Sequence, residues 1–147
     1  MSFEENELFD CIKKTIKSNM IKDFLIINCT GKNNDSIGLK INNNFFIKEI
    51  QTNIKNNETI IADICKILSD NNGNFSENFS VIVNIGPGSF SKIRTSLSIA
   101  KGIKIAKKTK IYGFQDCKLK KFDLESIEFL IKNNLIENKL IKPVYLS

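Results

Sequence analysis

The chain has 147 residues, room for one domain with a real core and too few for two full ones. It carries a net charge of +6 and no histidine, which removes histidine-bound zinc and histidine general bases from the chemistry open to it. Its cations are 21 lysines and one arginine, Arg94. With 25 isoleucines and 19 asparagines this reads as a biased codon pool, so the lone arginine, the two prolines and the seven glycines mark positions with a specific job.

Cys11, Cys29, Cys65 and Cys117 show neither a CxxC pair nor metal-ligand spacing. Cys29 and Cys65 lie in apolar runs and read as small core residues. Free thiols point to the cytoplasm, and the longest apolar runs are too short to span a membrane.

In residues 3–18, "FEENELFDCIKKTIKS", Leu8, Phe9, Ile12 and Ile16 recur at helical spacing, with acids first and lysines last. This predicts an amphipathic extension over 1–22 docking on the domain; a start at Met20 is the alternative. "FLIINCT" (24–30) is continuously apolar and reads as a strand buried on both faces. "SIGLKI" (36–41) alternates, "NNN" (42–44) turns, and "FFIKEIQ" (45–51) returns, giving an antiparallel meander. "NNETIIADICKILSDNNG" (56–73) predicts a helix capped by asparagine, striped by Ile60, Ile61, Ile64, Ile67 and Leu68, and ended by "NNG". "SVIVNI" (80–85) is a second doubly buried strand, followed by a glycine loop, a helix over about 90–108 and a short strand at "KIYGF" (110–114). Strand alternating with helix implies parallel pairing with right-handed crossovers. Asp123 then caps a helix with Ile127, Leu130 and Ile131 on one face, and the chain finishes in an extended tail around Pro143. The order β-β-β-α-β-α-β makes a mixed five-stranded α/β sheet. It resembles a single ribonuclease H-like lobe of the actin, sugar kinase and heat-shock ATPase superfamily.

The glycine loop raises the question of phosphate binding. Gly86 and Gly88 open backbone geometries barred to other residues, and Ser89 is placed to cap the following helix, where bare N–H groups attract anions. The Walker A and GxGxxG spacings are both absent. Asn28 stands where the superfamily ends its first strand in an aspartate, and a neutral amide is a poor substitute for a carboxylate on a hard divalent cation. No catalytic residue, metal site or cofactor is assigned on these grounds. Arg94 is expected to tie the first turn of the helix to neighbouring backbone or to a partner. On that helix Ser91, Thr95, Ser98 and Gly102 form a stripe of small residues, opposite an apolar stripe of Ile93, Leu97 and Ala100. Small residues admit a second helix closely, with Lys101, Lys104 and Lys108 as a charged rim; the stripe could equally pack on the domain's own first helix. Residues 86–121 hold nine lysines and Arg94 against Asp116 alone, either a solvated surface or a footprint for an acidic or phosphate-rich partner.

The stretch "GPGSFSKIRTSLSIAKGIKIAKKTKIYG" resembles the hallmark of the TsaB (YeaZ) family, with Gly86, Pro87, Gly88, Ser89, Phe90, Arg94, Ala100, Lys101 and Gly102 matching. The resemblance covers about 23–117, and "KPVYLS" resembles the family's closing Pro-x-Tyr-Leu-Arg. It implies a noncatalytic partner of a TsaD-type subunit, which transfers a threonylcarbamoyl group to adenosine 37 of tRNAs reading ANN codons. A TsaE-type ATPase joins through the complex, and tRNA contact is indirect. The family's docking helices correspond to 58–70 and 90–108, so Ile60, Ile61, Ile64, Ser91, Thr95, Ser98 and Gly102 are the expected partner-binding residues. Asn28, Ser91-Lys92 and "NNET" depart from the family pattern, and its second lobe is reduced to residues 118–147, which leaves homodimerisation open. Two other readings stand beside this one. One is a small ATP- or phosphate-binding enzyme using the GPGS loop; the other is a tRNA-binding module using the lysines of 92–121.

Overall fold

The computed structural model describes residues 21–32, 35–50, 58–75 and 78–138. β1 (Phe24–Asn28) is the middle strand of a five-stranded sheet of order β3-β2-β1-β4-β5. That place explains its unbroken apolar run, because both of its faces are covered. Leu25 and Ile27 face one helical layer, Phe24 and Ile26 the other, and all four are fully buried. β2 (Ser36–Ile41) runs antiparallel to β1, and β3 (Asn44–Glu49) antiparallel to β2. Asn42 and Asn43, with φ of 51° and 68°, make the two-residue turn between them. Such a turn needs two left-handed residues in succession, a conformation asparagine tolerates better than most side chains. β4 (Ser80–Asn84) pairs parallel with β1, and β5 (Lys110–Phe114) parallel with β4. β2 is therefore the strand that runs against the rest, as a ribonuclease H-like lobe requires.

The helices α1 (Glu58–Asp70) and α2 (Phe90–Lys107) lie on one face, and α3 (Leu124–Lys132) on the other. Ile60, Ile64 and Ile67 of α1 join Ile93, Leu97 and Ala100 of α2 over Leu25, Ile27, Leu39, Val81 and Val83. Ile127, Leu130 and Ile131 of α3 cover Phe24, Ile26, Ile82 and Phe114. Each large aliphatic side chain buried this way contributes about 1.5–3 kcal/mol. Asp123 caps α3, its carboxylate accepting from the Ser126 N–H at 2.8 Å. A short 3-10 turn (Asp116–Lys118) follows β5, and beyond α3 Glu137 exchanges two backbone hydrogen bonds of 2.8 Å with Gly113 on the outer edge of β5.

Several expectations shift. The third strand begins at Asn44 and ends at Glu49. Cys29 is buried as expected, whereas Cys65 is exposed, because it sits on the outer side of α1. "NNG" ends α1 as predicted, and within it the left-handed residue is Asn72. Asn72 takes the left-handed conformation (φ 53°), its N–H donates to Ser69, and the Gly73 N–H reaches back to Leu68 at 2.8 Å, a Schellman closure. Gly73 is small for another reason: a Cβ there would lie 2.6 Å from Ile41 Cδ1. The N-terminal extension, the asparagine cap of α1 and the tail around Pro143 lie outside the described residues. No helix among the described residues is long and apolar enough to cross a membrane.

Candidate functional site

Between the last residue of β4 and the first of α2 the chain reverses over residues 85–89. Gly86, with φ 100°, supplies the turn, and its bond to Pro87 is cis. Gly88 has a different role. A Cβ there would meet the Thr30 carbonyl oxygen at 2.6 Å and Thr30 Cβ at 2.7 Å, so glycine is what allows the β1–β2 loop to touch the GPGS loop. Gly31, with φ 78°, presses on Ser89 from the other side, and the Ser89 N–H donates to the Thr30 carbonyl at 2.7 Å. Ser89 occupies the N-cap position of α2, but its hydroxyl caps nothing; it lies 3.5 Å from the Ser91 hydroxyl. Arg94 departs from one half of its expectation, the tie to neighbouring backbone. Its guanidinium is exposed and stands over the Phe90 ring, 5.7 Å from the centroid, instead of gripping neighbouring backbone.

Beneath the loop the strand ends are joined by a polar network. Asn84, fully buried, donates through Nδ2 to Asn28 Oδ1 at 2.7 Å and to Asp116 Oδ1 at 2.9 Å, while its Oδ1 accepts from the Gly86 N–H at 2.9 Å. The other oxygen of Asp116 pairs with Lys32 at 3.0 Å. The buried Asp35 accepts from the Thr30 and Gly31 N–H groups and folds the β1–β2 loop onto itself. Burial pushes the Asp35 carboxyl above its ordinary range despite those donors, and pushes the Cys29 thiol up as well.

This arrangement withdraws four backbone donors of the two loops from any anion. The N–H groups of Gly86 and Ser89 already donate to protein acceptors, and so do those of Thr30 and Gly31 facing them. Asn28 serves as the acceptor for Asn84. The sequence reading did not single out Asn84, Asp116, Asp35 or Gly31. Asn84 carried a signal, since an asparagine two residues before a glycine turn commonly bonds that turn's N–H.

The two faces of α2 are sharply different. Ile93, Leu97 and Ala100 are buried as predicted, with Ser96 buried beside them and its hydroxyl donating to the Lys92 carbonyl at 2.9 Å. On the outer side Ser91, Ser98 and Gly102 are exposed and Thr95 is half-buried. A Cβ at Gly102 would find nothing beyond its own helix within 4 Å. Ile105 continues this stripe and is 83% exposed. It was missed in the sequence, although its position three residues after Gly102 keeps the helical period. On α1, Ile61 is 52% exposed and Cys65 follows one turn on. Ile60 and Ile64 are buried against the sheet, so they belong to the core and not to the outward face. Lys101, Lys104 and Lys108 are exposed around the outer stripe.

No family model matches the chain, and no curated protein matches its sequence. Solved structures do match the fold. YeaZ from Pseudomonas aeruginosa superposes with a TM-score of 0.60 at 13% identity, over 67% of this chain and 46% of that one. A second structure is described as an uncharacterized protein with similarity to peptidase YEAZ from Pseudomonas aeruginosa. It gives a TM-score of 0.58 at 13% identity, over 67% of this chain and 45% of that one. The likeness is one of fold, and the chain spans less than half the length of either relative.

Proposed function

We propose that the chain is a noncatalytic scaffold of the TsaB (YeaZ) type that docks a TsaD-type subunit through the outer sides of α1 and α2. On this reading it supports threonylcarbamoylation of adenosine 37 in tRNAs reading ANN codons, with a TsaE-type ATPase reached only through the complex. The carrying observation is the outer side of α2. Ser91, Ser98 and Gly102 leave room for a facing helix, and the exposed Ile105 and Ile61 supply apolar anchors beside it. The YeaZ-like fold and the match to the GPGSF–R–AKG motif support the same assignment.

The test is co-purification with a TsaD-type subunit. Gly102→Trp and Ile105→Asp each change a side chain that the folded chain leaves in solvent, so folding should survive. Each should weaken docking by about 2 kcal/mol or more, roughly 30-fold in affinity. Unchanged capture by both variants would sink the assignment. The rival reading, a phosphate-binding enzyme built on GPGS, is opposed by the N–H groups already engaged within the loop. Calorimetry with Mg-ATP on the isolated chain separates the two, and binding with a micromolar Kd would favour the rival.

A further inference from the structure

The lysines that form one run in the sequence separate in space to opposite ends of the molecule. Lys118 and Lys120 follow β5 near the GPGS loop, whereas Lys104, Lys107, Lys108 and Lys110 gather where α2 returns to start β5. That second end is the one where Phe24, Ser80 and Lys110 stand side by side at the start of three parallel strands. Three adjoining clefts of about 620, 430 and 580 Å³ open there, all of them lined by Ile21. Lys22, Lys104, Lys110 and Lys132 line these clefts, drawn from four different parts of the chain.

Most of the positive charge at this end is uncompensated. Of the two acids lining the clefts, Glu128 pairs with Lys40 at 3.3 Å; Asp23, which accepts from the Asn42 N–H at 3.3 Å, keeps its charge and offsets one lysine. Among the described residues Lys22, Lys104, Lys110 and Lys132 have no ion-pair partner, and neither have Lys107 and Lys108 beside them. The C-terminus of α2 carries about half a negative charge. That accounts for a lysine or two in its last turn and not for six unpaired ones converging from separate elements. Like charges held around a concave surface repel one another, and a ligand with regularly spaced negative charges relieves that repulsion.

We propose that this end of the molecule is a binding groove for a phosphodiester backbone, RNA or DNA, held by Lys22, Lys104, Lys110 and Lys132. Lysine is a point charge without the planar fork that reads base edges, so recognition is of backbone and not of sequence. Tyr112, half-buried, lines two of the clefts together with Lys110 and adds a hydroxyl-bearing ring to their wall. The groove does not rest on the helix-face reading above: of its four lysines only Lys104 also borders that face, while Lys22, Lys110 and Lys132 come from other parts of the fold.

Fluorescence anisotropy of labelled single-stranded RNA and DNA oligonucleotides against the full chain tests this across a salt series. Four phosphate contacts predict a slope of log K on log salt near about −3 for a single strand. Lys104→Gln with Lys110→Gln should reduce that slope by about 1.4 and weaken binding at least tenfold. Lys118→Gln with Lys120→Gln, at the other end, should change affinity less than twofold. Variant folding is checked by circular dichroism. Binding of RNA, of DNA or of both supports the groove and names its source. A slope near zero, an equal loss in the Lys118/Lys120 variant, or binding to phosphatidylserine vesicles with neither oligonucleotide bound overturns it.

Discussion

Gly102 lies well inside an eighteen-residue helix, where glycine costs about 1 kcal/mol relative to alanine, yet no other part of the described chain uses the space it leaves. Gly102→Ala should therefore stabilise the isolated chain by about 0.5–1 kcal/mol, read as a higher denaturant midpoint; a loss of stability would mean that something packs there after all. Asp35 makes a different kind of prediction. Burial, the largest influence, lifts its carboxyl above the ordinary 3.8, while the Gly31 and Thr30 N–H groups and Lys92 pull the other way without prevailing. The folded chain thus holds this proton more tightly than the unfolded one. Its contribution to stability is complete below the ordinary value and is lost as pH rises through the folded value. Urea midpoints of the wild type and Asp35→Asn, compared across the acid range, should show the wild type losing ground to the variant as pH rises. The opposite slope would show that the donors outweigh burial.

At the scale of elements, the GPGS loop and the β1–β2 loop act as one unit, because Gly88 and Gly31 let two backbones meet. Gly88→Ala places a methyl 2.6 Å from the Thr30 carbonyl oxygen, and backbone cannot move aside as a side chain can. A loss of about 1–3 kcal/mol in chemical denaturation is expected; a neutral result would mean that the loops separate freely. The strands and helices themselves were legible in the sequence, since unbroken apolar runs and helical stripes are local signals. The meaning of Gly88 was not, because its partner Thr30 is remote in the chain. The capping role given to Ser89 failed for a related reason: its N–H is drawn to Thr30, and its hydroxyl turns towards Ser91. The broad stripe of α1 was read correctly as apolar, but successive residues on a helix lie about 100° apart. Periodicity alone could not decide that Ile60 turns inward and Ile61 outward.

For the molecule as a whole, the sheet divides the labour. One face carries α1 and α2 with their bare outer sides, and the other is closed by α3 and pinned by the Lys40–Glu128 pair at 3.3 Å. That β2 runs against the other four strands has a consequence in time as well as in space. The β2–β3 hairpin closes across two asparagines, whereas pairing Phe24 with Ser80 must first gather everything between them. The difference in closure entropy is about 2–3 kcal/mol in favour of the hairpin. Folding should accordingly begin in the β1–β2–β3 meander and admit β5 late. In stopped-flow experiments Ile37→Val should then mainly slow folding, and Ile111→Val mainly quicken unfolding. The reverse pattern would place the nucleus on the parallel side. If the meander does lead, the small-residue outer side of α2 is held in place only as the last strand arrives, so a chain caught midway offers a partner nothing to hold.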